Sequence, residues 1–140
     1  MGTRATAGTR VLCCGTFDHL HPGHESFLQQ AAELGDELVV IVARDENVTR
    51  LKGRPPSQNE DLRRSAVAGV DCVAQARLGH RGANLLRVVG EVAPDVIALG
   101  YDQRPPAGLA EAFPRCRIAV LEPFCPDRYK SSLMREARDR

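Results

Sequence analysis

The fold turns on one stretch, Val11-Leu12-Cys13-Cys14-Gly15-Thr16-Phe17-Asp18-His19-Leu20-His21-Pro22-Gly23-His24. Its first four residues are apolar without polar alternation, the pattern of a strand buried on both faces. Gly15 interrupts the run, and Pro22 with Gly23 suits the opening turn of a helix. Phe27, Ala31 and Leu34 then recur at i, i+4 and i+7, which predicts a helix over 23–34 closed by Gly35. A buried strand passing through a polar loop into an amphipathic helix is the opening unit of a parallel sheet.

The same alternation continues along the chain. Apolar runs at 38–43, 72–76, 96–99 and 118–121 read as strands. Residues 59–70, with Asn59 as cap, and 83–92, with Leu85, Val88, Val89 and Val92 on one face, read as helices. Shorter helices are expected at 109–113 and 131–138. Five strands alternating with helices predict an α/β fold: a single Rossmann-like, doubly wound domain with a five-stranded parallel sheet over 11–140. Residues 1–10 are expected to be a flexible N-terminal tail. Ligands of such sheets bind beyond the carboxyl ends of the strands. The loops to read for chemistry are therefore 15–22, 44–54, 77–82, 100–106 and 122–130.

Composition narrows the function classes. A chain of 140 residues, 43% apolar, has room for one ordinary core. No run reaches the ~18 apolar residues of a membrane-spanning helix, and residues 1–10 lack the apolar centre of a secretory signal. A formal charge of +1 gives no support to nucleic-acid or membrane-surface binding. Five cysteines, an odd number with no C-x-x-C pair, suit a reducing compartment, so a cytoplasmic location is expected. Cys13, Cys14, Cys72 and Cys116 adjoin apolar runs, where a thiol packs as a small hydrophobe. Lys52 and Lys130 are the only lysines, the other basic residues being arginine. Both fall in the loops expected at the carboxyl side of the sheet, where a compact point charge suits phosphate.

The loop after the first strand carries the strongest chemical signal. Gly15 lets the backbone turn tightly, while Thr16 and Phe17 offer main-chain N–H groups. His21 and His24 flank a helix start, whose free N–H groups and dipole favour an anion, phosphate above all. A metal reading also exists, since His19, His21 and His24 form H-x-H-x-x-H, similar to the H-x-H-x-D-H of zinc-dependent metallo-β-lactamase-like hydrolases. Gly23 stands where that pattern has its acid, and His80 is the one further histidine. The chain contains no G-x-x-x-x-G-K-[ST], no G-x-G-x-x-G after the first strand and no H-E-x-x-H.

Gly15-Thr16-Phe17-Asp18 followed by His21-Pro22-Gly23-His24 resembles the G-T-F-D…H-x-G-H signature of the cytidylyltransferase-like nucleotidyltransferases. Val42-Ala43-Arg44-Asp45, Leu51-Lys52-Gly53-Arg54, Glu60 with Arg63, and Leu99-Gly100-Tyr101-Asp102-Gln103 follow in that family's order. Lys130-Ser131-Ser132 stands where the family carries I-S-S-T or I-S-T-T, with Leu133 in the fourth place. The wording is most similar to archaeal-type FAD synthases, which adenylylate FMN. It is less similar to glycerol-3-phosphate cytidylyltransferases or pantetheine-phosphate adenylyltransferases. A nucleotide-binding module without turnover is the alternative outside enzymes.

The resemblance implies transfer of a nucleoside monophosphate from ATP or CTP to a phosphate monoester such as FMN, with Mg²⁺ held through the phosphates. It implies His21, His24, Lys52 and Arg63 as catalytic phosphate contacts. It also implies Gly15, Thr16, Phe17, Gly23, Gly100, Asp102, Lys130, Ser131 and Ser132 as nucleotide-binding residues, and a homodimer, which is common in that family.

Overall fold

Unalternated apolar segments form the centre of the sheet, as their pattern requires. The computed structural model describes residues 8–82 and 85–123. Strands β1 (Arg10–Gly15), β2 (Glu37–Val42), β3 (Gln75–Leu78), β4 (Val96–Leu99) and β5 (Arg117–Val120) build one sheet in the order β3-β2-β1-β4-β5. Every pairing is parallel. Residues from β1, β2 and β4 are almost wholly buried because helices cover both faces. Helices α1 (Pro22–Ala32) and α3 (Glu60–Ala68) bring Leu28, Ala31 and Val67 onto Val11, Cys13, Val40 and Ala98. Helices α4 (Leu85–Val92) and α5 (Leu109–Ala112) bring Val88, Val89, Val92 and Leu109 onto Leu12, Val39, Ile41 and Ile97. The protein is a Rossmann-like, doubly wound α/β fold.

The order of strands reverses between β1 and β4, which pair through Val11↔Val96 and Leu12↔Ile97. Their carboxyl ends, at Gly15 and just before Gly100, therefore diverge into loops that leave on opposite faces. That is the crevice where open α/β sheets hold ligands.

Several sequence expectations shift. Segment 44–54, expected as a loop, contains a helix, α2 (Asp45–Lys52). Only Val48 is buried in it, so apolar periodicity was too weak to reveal it. Its signals are charges, Asp45 and Glu46 at the start and Arg50 and Lys52 at the end, with Gly53 closing it at φ 80°. The third strand lies at Gln75–Leu78 rather than 72–76, because the chain turns through Val73 N–H to Val70 C=O and pairs only afterwards. It and β5 are edge strands and partly exposed, Val120 by 65%, so full burial holds for the central three. Thr9 N–H donates to Asp36 Oδ2 at 2.7 Å, and Arg10 binds Glu37 and the Val92 carbonyl, so the chain is anchored before residue 11. The helix expected at 131–138 lies outside the described residues.

Candidate functional site

A cleft of about 750 Å³ opens at the reversal point. One wall is the loop from β1 into α1, the other the loop after β4, and Lys52 faces in from the end of α2. Gly15, Thr16, Phe17, His21, Gly23, His24, Lys52, Gly100 and Asp102 all line it, so nine expected site residues from four segments converge.

The first wall is strained and locked. Phe17 and His19 have φ of 55° and 57°, backbone that side chains rarely adopt and that surrounding contacts must impose. The Phe17 ring is buried, and a Cβ on Gly15 would lie 2.8 Å from it. Gly15 is thus required by a close approach of this ring, which is a sharper reason than the tight turn expected of it. Asp18 accepts from Ser57 N–H at 2.7 Å and Gln58 N–H at 2.9 Å, joining this loop to the segment before α3. These backbone donors, Ser57 first, hold the Asp18 carboxyl below its usual range.

His21 is the N-cap of α1. Its Nδ1 accepts from Gly23 N–H at 3.1 Å and His24 N–H at 3.4 Å. The helix-start donors expected to meet an anion directly are therefore occupied by His21. With Nδ1 an acceptor, the ring carries its proton on Nε2, which is left as a donor. His24 stacks on His21 with ring centroids 3.7 Å apart and meets Phe17 edge-on at 5.5 Å. Its Nδ1 is buried with no hydrogen-bond partner. Burial foremost, then the neighbouring His21, holds the His24 pKa below the ordinary 6.5; Lys52 acts in the same direction, against Asp18. The ring is neutral at pH 7.

Lys52 is the last residue of α2 rather than part of a loop. The helix start is held by two acids and two arginines: Glu60 accepts from Asp45 N–H at 2.9 Å and from Arg44 at 3.1 Å. Arg63 lies beneath, fully buried, donating to Asp45 at 2.6 Å, to the Thr16 carbonyl at 2.8 Å and to the Gln58 carbonyl at 2.9 Å. Arg63 does not line the cleft; its bonds make it a joint. It ties the β1 loop to the helix that carries Lys52. Lys130, Ser131 and Ser132 lie outside the described residues.

The second wall holds residues that the sequence reading passed over. Tyr101, Gln103, Glu122, Pro123, Phe27 and Cys14 also line the cleft. Gln103 Oε1 accepts from Gly100 N–H at 2.7 Å and its Nε2 donates to the Cys14 carbonyl at 3.2 Å. Tyr101 is 66% exposed, an aromatic face at the rim. Its place beside Gly100 and Asp102 in a post-strand loop was the available signal.

Zinc is not favoured by this geometry. His21 caps a helix, and His80 binds both Glu91 oxygens at 2.9 and 3.0 Å. Among the described residues no group of three or more acids, histidines or cysteines converges. Cys14 is half-buried, and desolvation pushes its thiol up to about 12, so it is no nucleophile at neutral pH.

Residues 12–137 match the cytidylyltransferase-like family. This chain is a member of that family. It is 53% identical over 95 residues to the FAD synthase of Aciduliprofundum boonei, covering 68% of this chain and 62% of that one. It is 52% identical over 96 residues to the FAD synthase of Methanosarcina mazei, covering 69% and 62%. The match thus spans less than two thirds of the length of these relatives. Among solved structures, the lipopolysaccharide core biosynthesis protein from Thermoplasma volcanium superposes with a TM-score of 0.77 at 37% identity, over 84% of this chain and 99% of that one. Pantoate-beta-alanine ligase from Francisella tularensis, 12% identical over 91% of this chain and 67% of that one, shares the fold at a TM-score of 0.57. As a cytidylyltransferase-like domain, the chain thus keeps the G-T-F-D and H-x-G-H residues together on one cleft.

Proposed function

We propose that this chain is a nucleotidyltransferase that transfers AMP from ATP to FMN, forming FAD and pyrophosphate. One observation carries the reading. A stacked histidine pair and a free-standing lysine share one cleft with the aromatic rings of Phe17, Phe27 and Tyr101. Such a set supplies donors for a polyanion and apolar faces for a ring. The relatives named FAD synthase supply the acceptor and nucleotide.

The chemistry needs no general base. A phosphate monoester with a second pKa near ~6 is largely dianionic at neutral pH. One of its oxygens forms a bond to the α-phosphorus while the bond to the bridging oxygen breaks, and the electron pair leaves with pyrophosphate. The task of the protein is to bring two anions together and hold the charge of the five-coordinate phosphorus. His21 Nε2–H and His24 would donate to triphosphate oxygens. Lys52 would draw the acceptor phosphate towards the α-phosphate. Thr16, Phe17, Gly23, Gly100 and Asp102 would position the nucleotide, with Lys130, Ser131 and Ser132 assigned there on sequence alone. Mg²⁺, bound with the triphosphate, would supply further charge neutralisation. The donor set suits that arrangement, because Asp18 uses both carboxylate oxygens on backbone N–H groups. A cytoplasmic homodimer completes the reading, the location supported by free thiols at Cys13, Cys14, Cys72 and Cys116 and the dimer by family habit.

The test is pyrophosphate release with ATP or CTP against FMN, glycerol 3-phosphate and phosphopantetheine. Turnover confined to ATP with FMN is expected. Preference for CTP with glycerol 3-phosphate overturns the substrate assignment, and silence in every combination overturns the enzyme.

A further inference from the structure

A second cavity, about 200 Å³, adjoins the cleft on the sheet face covered by α4. Leu12, Ile97 and Leu99 line it from the sheet, Leu85 and Val89 from α4, and Pro106 from the loop beyond β4. The two cavities share two walls, Cys14 and Gln103. Gln103 is held at both ends of its amide by backbone, so its side chain has a fixed place on the border where the two cavities adjoin. Cys14 remains a neutral thiol and adds apolar surface on the cavity side. Arg104, which is exposed, and the Gln103 amide also line the cavity, so polar groups border an apolar interior.

We propose that this cavity is the acceptor subsite of the reaction, taking the apolar, benzenoid end of the acceptor's fused aromatic ring while the acceptor phosphate lies in the main cleft. This rests on the FMN reading above. Three properties point to that occupant. The volume is below the roughly 300–1,000 Å³ of sites that enclose a whole drug-sized ligand, so it takes one end of a molecule. Its aliphatic lining would strand the hydroxyls of a glycerol phosphate without partners, which disfavours polyol acceptors. A flavin ring has one methyl-substituted hydrocarbon edge and one edge of carbonyl and ring-nitrogen acceptors. The first edge matches Leu85, Val89 and Pro106, and the second matches the donors of Gln103 and Arg104 at the rim. The same arrangement makes Leu85 and Gln103 specificity-determining residues.

The experiment compares wild type with Leu85→Trp, which fills the cavity from its half-buried side, and with Leu85→Ala, which enlarges it. Steady-state pyrophosphate release gives KM for FMN and for ATP separately. Fluorescence titration with riboflavin, which carries the ring but no phosphate, reads ring binding without catalysis. Leu85→Trp is expected to raise the KM for FMN at least ~10-fold and to weaken riboflavin binding equally, with the KM for ATP moving less than ~2-fold. Leu85→Ala, matched to wild type in thermal melting, is expected to weaken both flavins by a few-fold. An unchanged FMN KM and riboflavin affinity in folded Leu85→Trp overturns the subsite while leaving FMN turnover intact. Absence of FMN turnover in wild type overturns the function reading instead. The subsite is then decided by riboflavin alone: ring binding that Leu85→Trp abolishes upholds it, and no ring binding rejects it.

Discussion

The two walls of the cleft are built to different standards. On the β1 side, Arg63, Asp18 and His21 place seven hydrogen bonds behind a loop of strained backbone, and the buried Phe17 ring fills its underside. On the β4 side, Tyr101 and Asp102 stand exposed, and the Gln103 amide ties the loop to the Cys14 carbonyl of β1. Under the proposed reaction the stiff wall would hold the groups that meet developing charge, where misplacement is costly. The looser wall holds groups suited to choosing the base and the acceptor, where contact area matters more than fixed geometry.

Removing the joint of the stiff wall should have the largest effect. Arg63→Met leaves the half-exposed Asp45 and two carbonyls without their buried partner, and a hydrogen bond to a charged group is worth about 1.5–3 kcal/mol. Urea unfolding should show a midpoint lowered in proportion, with pyrophosphate release lost even below the transition. A melting curve like wild type would break the claim that Arg63 stiffens this wall.

His24→Ala comes next. The fold should survive, because the ring is partly exposed and its Nδ1 has no partner to lose. Turnover should fall ~10²–10³-fold, the range for one preorganised donor, with a smaller change in substrate binding. Proton linkage gives a second readout. The folded His24 pKa lies below 6.5, so as pH falls below about that value the unfolded chain holds more protons and stability declines. A bound polyanion reverses the balance, and calorimetry near pH 6 should detect proton uptake with ATP that His24→Ala lacks.

Lys52→Met should lower kcat/KM by at least ~10²-fold while melting within ~0.5 kcal/mol of wild type. Lys52→Arg should restore only part of the loss, since a planar fork does not replace a compact ammonium. Wild-type activity in Lys52→Met would mean that the end of α2 is merely solvated. The smallest effect is expected on the loose wall. Tyr101→Ala removes a stacking face worth ~0.5–1.5 kcal/mol, so the KM for the nucleotide should rise ~3–10-fold with turnover nearly unchanged. A collapse of kcat instead would show that both walls serve the chemistry.

By itself, the sequence determined the α/β class, the five strands and the place of the Gly15-to-His24 loop after the first of them. The reason is that unalternated apolar runs, helical spacing and the Gly15-to-His24 motif are local patterns with a fixed geometric meaning. Helix α2 escaped because its order comes from Glu60 and Arg63, which lie 15 and 18 residues from Asp45, rather than from an apolar face. Arg63 itself reads as one more cation near a phosphate site; only its burial against Thr16, Gln58 and Asp45 makes it a joint. Only the tertiary structure, likewise, turned His21 into a helix cap and set Gln103 against Cys14 across 89 residues, where two cavities adjoin. Burial and hydrogen-bond partnership depend on which strand ends meet, and that meeting is decided by the packing of the whole sheet.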